Sequence, residues 1–257
     1  MHAYASSYPH SVKVFSLGLL AITIAILLST PPAFADTDEE IAISVATLLR
    51  SARAVISDKQ KHINTAEIGD KGVTADLVIS TAKKNYLNKT GTDIDAIDRS
   101  TLHGQLVDAE LLAIKEVMDE AQTTINEEGV SLKGFLPAVF ARLVTQRFKT
   151  SAGGKATIKL TAPKDYVRNR ANRPDKWEQN IIQEMFRSPD HPTGQHFSES
   201  ADVKGKAAFR LILPEYYKES CLGCHGDPKG ERDITGGKKE GGKLGELGGA
   251  ISVVIFH

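Results

Sequence analysis

The chain holds two cysteines, and both fall in one short stretch, Cys221-Leu222-Gly223-Cys224-His225-Gly226. The stretch reads C-x-x-C-H, the attachment pattern of a c-type haem. Chemistry sets the spacing. Two thiols three residues apart add to the two vinyl groups of one porphyrin, and the histidine that follows presents its imidazole to the iron from the proximal side. Other chemistries use part of the pattern. A thiol–disulfide site wants a βαβ setting with the first cysteine opening a helix. Here a strand-like run and Pro214-Glu215-Tyr216-Tyr217 come before the motif, and Gly226-Asp227-Pro228 stops a helix directly after it. Tetrahedral zinc needs four ligands, and without a second cysteine pair it would have to recruit distant histidines. A disulfide across so short a loop adds little stability. The residues therefore assign Cys221 and Cys224 as thioether positions of one covalently bound haem c, and His225 as the proximal iron ligand.

The N-terminus has the layout of an export signal. Lys13 is the one charged side chain in residues 1–13, residues 14–28 are an apolar run, and Ala33-Phe34-Ala35 is an A-x-A cleavage signature before acidic Asp36-Thr37-Asp38-Glu39-Glu40. This predicts a secretory signal peptide over 1–35, cleaved after about Ala35, and a periplasmic protein. The alternative is an uncleaved membrane anchor, but the run is short of the roughly 20 residues that span a bilayer. Haem c is attached outside the cytoplasmic membrane in bacteria, so the two features agree. Basic and acidic residues balance at 32 each, which gives no reason to expect nucleic acid as a partner.

Helical periodicity fills the first half. Ile41, Val45, Leu48, Ala52 and Val55 make one face of a helix over 38–64, and the same spacing carries His62 to its inward side. A second helix runs over 74–87 with Thr74 as cap, a third over 101–126 with a broad apolar face, and a fourth follows Gly134. Residues 156–161 alternate as a half-buried strand. Residues 166–173 are an arginine-rich connection, Pro174 opens a helix with Trp177, Ile181 and Met185 on one side, and residues 207–213 form a strand that Pro214 ends. Residues 226–249 are a long glycine-rich loop, read as mobile, and 250–256 a buried strand. The loop lysines Lys238, Lys239 and Lys243 lack the P-loop pattern. The prediction is an α+β protein with a helical part over about 38–150 and a strand-rich haem-attachment part over about 151–257.

Several blocks resemble a family of exported single-haem c-type proteins with a PAS-like haem-binding domain, found alone or ahead of signalling domains. They are Lys133-Gly134-Phe135-Leu136-Pro137-Ala138-Val139-Phe140, Arg168-Asn169-Arg170-Ala171-Asn172 with Pro174-Asp175 and Trp177-Glu178, the haem block through Pro228, and Leu247-Gly248-Gly249-Ala250-Ile251-Ser252-Val253. The resemblance implies a stand-alone member whose PAS-like antiparallel sheet, flanked by helices, holds the haem with His225 as proximal ligand. Two departures stand out. The family often has R-N-P-A-N where this chain carries Arg170, and some members use a distal cysteine, for which no cysteine is left here.

The sixth iron position thus has as candidates His62 first, then an open site or His103, with Met118 and Met185 behind them. His191 and His196 read as loop residues. Arg168, Arg170 and Arg173 are candidates for haem propionate contacts, because a guanidinium suits carboxylate geometry; a solvated basic connection is the alternative. The expected function is one-electron transfer in the periplasm with a redox partner protein. The alternative is a redox or gas sensor, which is expected to act through a separate signalling partner protein. A haem enzyme comes last, because no distal acid–base pair is identifiable.

Overall fold

In this computed structural model, the structure describes residues 1, 2 and 36–257. The signal-peptide reading falls on residues outside that range. Four helices come first: α1 (Asp38–Ile63), α2 (Ala75–Thr90), α3 (Leu102–Ile125) and α4 (Pro137–Ser151). Their starts are set by local chemistry. Thr37 caps α1 in a reciprocal box with Glu40, and Thr74 and Thr101 accept from backbone amides of α2 and α3. Pro137 sits in the first turn of α4, where a missing N–H costs nothing. Gly91, in the left-handed region, closes α2 three residues beyond the expected end.

The second half is a sheet with short helical pieces. Strands β1 (Ala156–Thr161), β2 (Phe197–Asp202), β3 (Ala207–Tyr216) and β4 (Leu247–Phe256) form one antiparallel sheet in the order β1-β4-β3-β2. Leu211 and Leu213 of β3 and Ile251, Val253 and Ile255 of β4 face the helices and share one core with Leu48, Val144 and Phe148. The opposite face carries Ile212 and Ala250 and is covered by Ile181, Ile182 and Phe186. The α+β expectation, with its helical N-terminal half, agrees with this architecture. Among the described residues no helix is long and apolar enough to cross a membrane.

Five local expectations need correction. First, β2 was not expected; its sequence, Phe-Ser-Glu-Ser-Ala-Asp, is polar because it is an edge strand with little buried. Second, Pro214 does not end β3. Pairing with β2 stops at Ile212, so at Pro214 the strand has only β4 as neighbour and tolerates the missing donor. Third, the helix after Pro174 begins with an Asp175–Glu178 capping box and becomes α5 (Lys176–Asn180). Fourth, it continues as a π-helical turn, Ile181–Phe186, which adds Ile182 and Phe186 to the buried side; Ile181 is buried as expected, and Trp177 and Met185 pack against the same cluster, partly buried. Fifth, the glycine-rich segment is not loose. It folds back on itself through Gly230 N to Lys239 O (2.9 Å) and Lys239 N to Glu231 O (2.8 Å).

The helical half is held on the sheet by core packing and by polar contacts, which include Glu39 of α1 with His196 and Ser198 and an ion-pair group at the end of β3. Arg50 and Arg53 of α1 both bind Glu215 of β3, and Arg50 Nη2 donates to Pro214 O at 3.0 Å. Phe140 is fully buried and stacks edge-on with Phe135 at 6.1 Å. Phe140→Ala is expected to lower unfolding free energy by about 3–5 kcal/mol, read as a shift of the urea midpoint with unchanged slope; a loss below about 1 kcal/mol would remove Phe140 from the core.

Candidate functional site

The motif lies on a short helix, α6 (Glu219–His225), directly after β3. One turn of helix brings residues three apart to one side, so Cys221 and Cys224 share a side. Both are free thiols and partly exposed. A side chain at Gly223 would meet nothing within 4 Å, whereas one at Gly226 would collide with Leu222 O. Gly226 thus closes the helix, its N–H donating to that carbonyl at 2.8 Å. α1 runs beside the motif: Ser57 Oγ and Ser220 Oγ are 3.3 Å apart.

His225 is fixed on several sides. Its Nδ1 is 2.7 Å from Glu240 Oε2. A carboxylate only accepts, so Nδ1 carries the hydrogen and the neutral ring keeps its lone pair on Nε2. The Tyr217 ring stacks on the imidazole, 5.5 Å between centroids and 27° between planes. Gly242 N donates to His225 O at 2.8 Å. Tyr217 in turn sits in a slot between Gly242 and Gly248, where a Cβ at either position would overlap its ring. Burial, with help from the Glu240 charge, pushes the Tyr217 hydroxyl well above its ordinary range, so it stays protonated.

Arg168 joins these parts. Its guanidinium binds Glu240 through Nε (2.5 Å) and Nη2 (3.0 Å), Asp233 through Nη1, and the Cys224 carbonyl through Nη2 (2.5 Å). Burial works against its charge, but the Glu240 and Asp233 carboxylates outweigh this and hold its pKa above the ordinary value. The Asp233 side chain is fully buried and also accepts from Thr235 N, Thr235 Oγ1 and Gly237 N. Its desolvation is more than offset by Thr235 and Arg168, which bring its carboxyl down to about 2. The Cys224 thiol moves the other way, raised by burial and by the Asp233 charge. A reactive thiolate needs the opposite shift.

Of the residues singled out from sequence, Cys221, Cys224, His225 and Arg168 come together. Arg168 meets the motif through its guanidinium, whose donors are mostly taken up by the Cys224 carbonyl and by Glu240 and Asp233. Arg170 and Arg173 are exposed on the turn around Arg170–Asn172, and neither guanidinium pairs with a carboxylate among the described residues. His62 makes its polar contact elsewhere, with Nε2 2.9 Å from Lys71 O. His103 uses both ring nitrogens, on Asp36 and Ser44 (2.7 Å each). His191 contacts Gln195 O and His196 contacts Glu39 (3.0 Å each). Met118 is fully buried in the helical core, and Met185 packs on the second cluster. Sequence reasoning missed Glu240, Asp233 and Tyr217. It also missed a cationic flank, where Arg50, Arg53 and Lys218, with Glu215, lie around Lys89; burial, then Arg50 and Lys218, depress the pKa of Lys89.

A carboxyl whose folded pKa lies below its unfolded value near 3.9 stabilises at neutral pH and loses that contribution as pH falls. Asp233 therefore contributes fully above about pH 5 and progressively less down to about pH 2. In a series of urea titrations, Asp233→Asn is expected to lower the midpoint at pH 7 and to flatten its fall between about pH 5 and pH 2. An Asn variant with the parent's pH profile would contradict this assignment.

No curated protein and no solved structure matches the chain. A family model described as Tll0287-like: Tll0287 matches residues 34–255, which takes in both the helical half and the motif. The chain belongs to the Tll0287-like family.

Proposed function

We propose that this is an exported c-type haem protein that carries single electrons in the periplasm. The observation that carries the reading is the C-x-x-C-H helix with both thiols free and partly exposed on one side and with His225 held at Nδ1, so that Nε2 is its available donor. The residues fit the group. Cys221 and Cys224 would hold the porphyrin edge, His225 the iron, and the Arg50, Arg53, Lys89 and Lys218 flank, with exposed Arg170 and Arg173, would offer positive charge to propionates. When bound, a haem supplies a metal centre that cycles between ferric and ferrous by one electron.

The remaining work is done by the chain. Tyr217 and Glu240 keep the imidazole from turning, and the Gly242 amide holds the His225 backbone, so little has to reorganise around the ring when charge changes. The competing thiol–disulfide reading is weakened in two ways. Strands β3 and β4 on either side of α6 are antiparallel, so the setting is not βαβ, and the Cys224 thiol is shifted away from thiolate. Export remains part of the proposal because haem attachment of this type requires it, with residues 1–35 as the signal.

A second reading, a gas or redox sensor with a separate signalling partner, is favoured by one observation. Each histidine considered for the sixth position is engaged elsewhere, His62 by the Lys71 carbonyl and His103 by Asp36 and Ser44.

Protein matured in a host competent for c-type haem attachment is expected to give a pyridine haemochrome spectrum with covalent haem, and Cys221→Ala with Cys224→Ala to abolish it. A parent protein without covalent haem would refute the proposal. Carbon monoxide added to the reduced protein then divides the readings: an inert low-spin spectrum supports the carrier, rapid binding the sensor. His62→Ala is expected to leave the ferric spectrum unchanged; conversion from low to high spin would make His62 the distal ligand.

A further inference from the structure

We infer that Glu240 is a positioning residue that sets the electron-donating strength of His225, and with it the reduction potential of the iron. The inference rests on the reading that His225 ligates a haem iron.

The geometry around Glu240 is more specific than loop anchoring requires. Its side chain is 5% exposed, in the interior of a segment that is otherwise mostly at the surface. Both carboxylate oxygens are assigned: Oε1 accepts from Arg168 Nε, and Oε2 accepts from Arg168 Nη2 and from His225 Nδ1 at 2.7 Å. The ion pair with Arg168 holds the carboxylate in one orientation, and that orientation aims an oxygen at the ring nitrogen away from the available Nε2. A charged acceptor in a site of low dielectric draws on the Nδ1–H bond more strongly than a carbonyl would. Electron density then moves toward Nε2 and makes it a better donor to a metal, the known effect of an outer carboxylate on a ligating histidine. A stronger donor favours the ferric over the ferrous state and lowers the potential.

Arg168 cannot cancel this influence, because its single positive charge is shared with Asp233. Arg168, Glu240 and Asp233 together carry one net negative charge beside His225. Glu240 also lies fifteen residues beyond the histidine, across a folded hairpin. The hairpin thus brings a charge to the ring that the motif itself lacks.

The test uses the full chain matured with haem. Glu240→Gln keeps an oxygen that can accept from Nδ1 and removes the charge. The expected result is an unchanged haemochrome yield and a midpoint potential shifted positive of the parent in a spectroelectrochemical titration. A haem-loaded E240Q with the parent's potential overturns the inference, since a purely structural anchor would leave the potential where it was. If E240Q fails to mature, the parent decides. Its His225 Nδ1–H is expected as a slowly exchanging proton resonance in the reduced protein, and immediate exchange with solvent overturns the inference. A parent with no covalent haem overturns instead the proposal on which the inference rests.

Discussion

The Arg168 guanidinium is the interaction on which the site depends. It touches the backbone of the motif at Cys224, the carboxylate that holds His225, and the buried carboxylate that shapes the Asp233 turn. No two of these groups are neighbours in sequence, and two of them are buried acids that would repel each other without it. Removing one partner of a buried ion pair costs about 3–5 kcal/mol because the other charge is left stranded; the low end applies here, since the guanidinium is partly exposed. The arginine that sequence reading offered to an outside carboxylate is instead mostly committed to carboxylates of its own chain.

The helical half serves the same site from the other side. α1 reaches the end of β3 through Arg50 and Arg53 and reaches the motif helix through Ser57. Because Glu215 lies on the face of β3 that packs on the helices, the clamp and the hydrophobic core share one alignment. The position of α6 is therefore fixed by the register of β3 against β4 and by the rotation of α1, two features set by packing far from the cysteines.

What could be read from the sequence follows from how local each cause is. The cysteines and histidine were legible because the C-x-x-C-H pattern is complete within one short stretch of chain. Helices α1 to α4 were legible because each has a long apolar stripe and most begin at a threonine cap. The edge strand β2 was not, since a polar strand that buries little resembles a loop. The π-helical turn was not, since its apolar residues fall out of the 3.6-residue period. Glu240 and Asp233 were invisible as site residues because their partner Arg168 is 72 and 65 residues away. In the sequence they are two acids among glycines and lysines, and only the fold gives them one arginine to share.

The slot around Tyr217 has a bearing on how the protein is finished. Its two walls, Gly242 and Gly248, come from the far end of the hairpin and from the start of β4, while its filling comes from the end of β3. The slot exists only when the residues between, including the motif helix, span the right distance. A motif helix set one residue out of place would leave the ring without its walls and the last strand without its seat. The slot thus acts as a gauge: the hairpin can latch and β4 can complete the sheet only around a correctly placed His225.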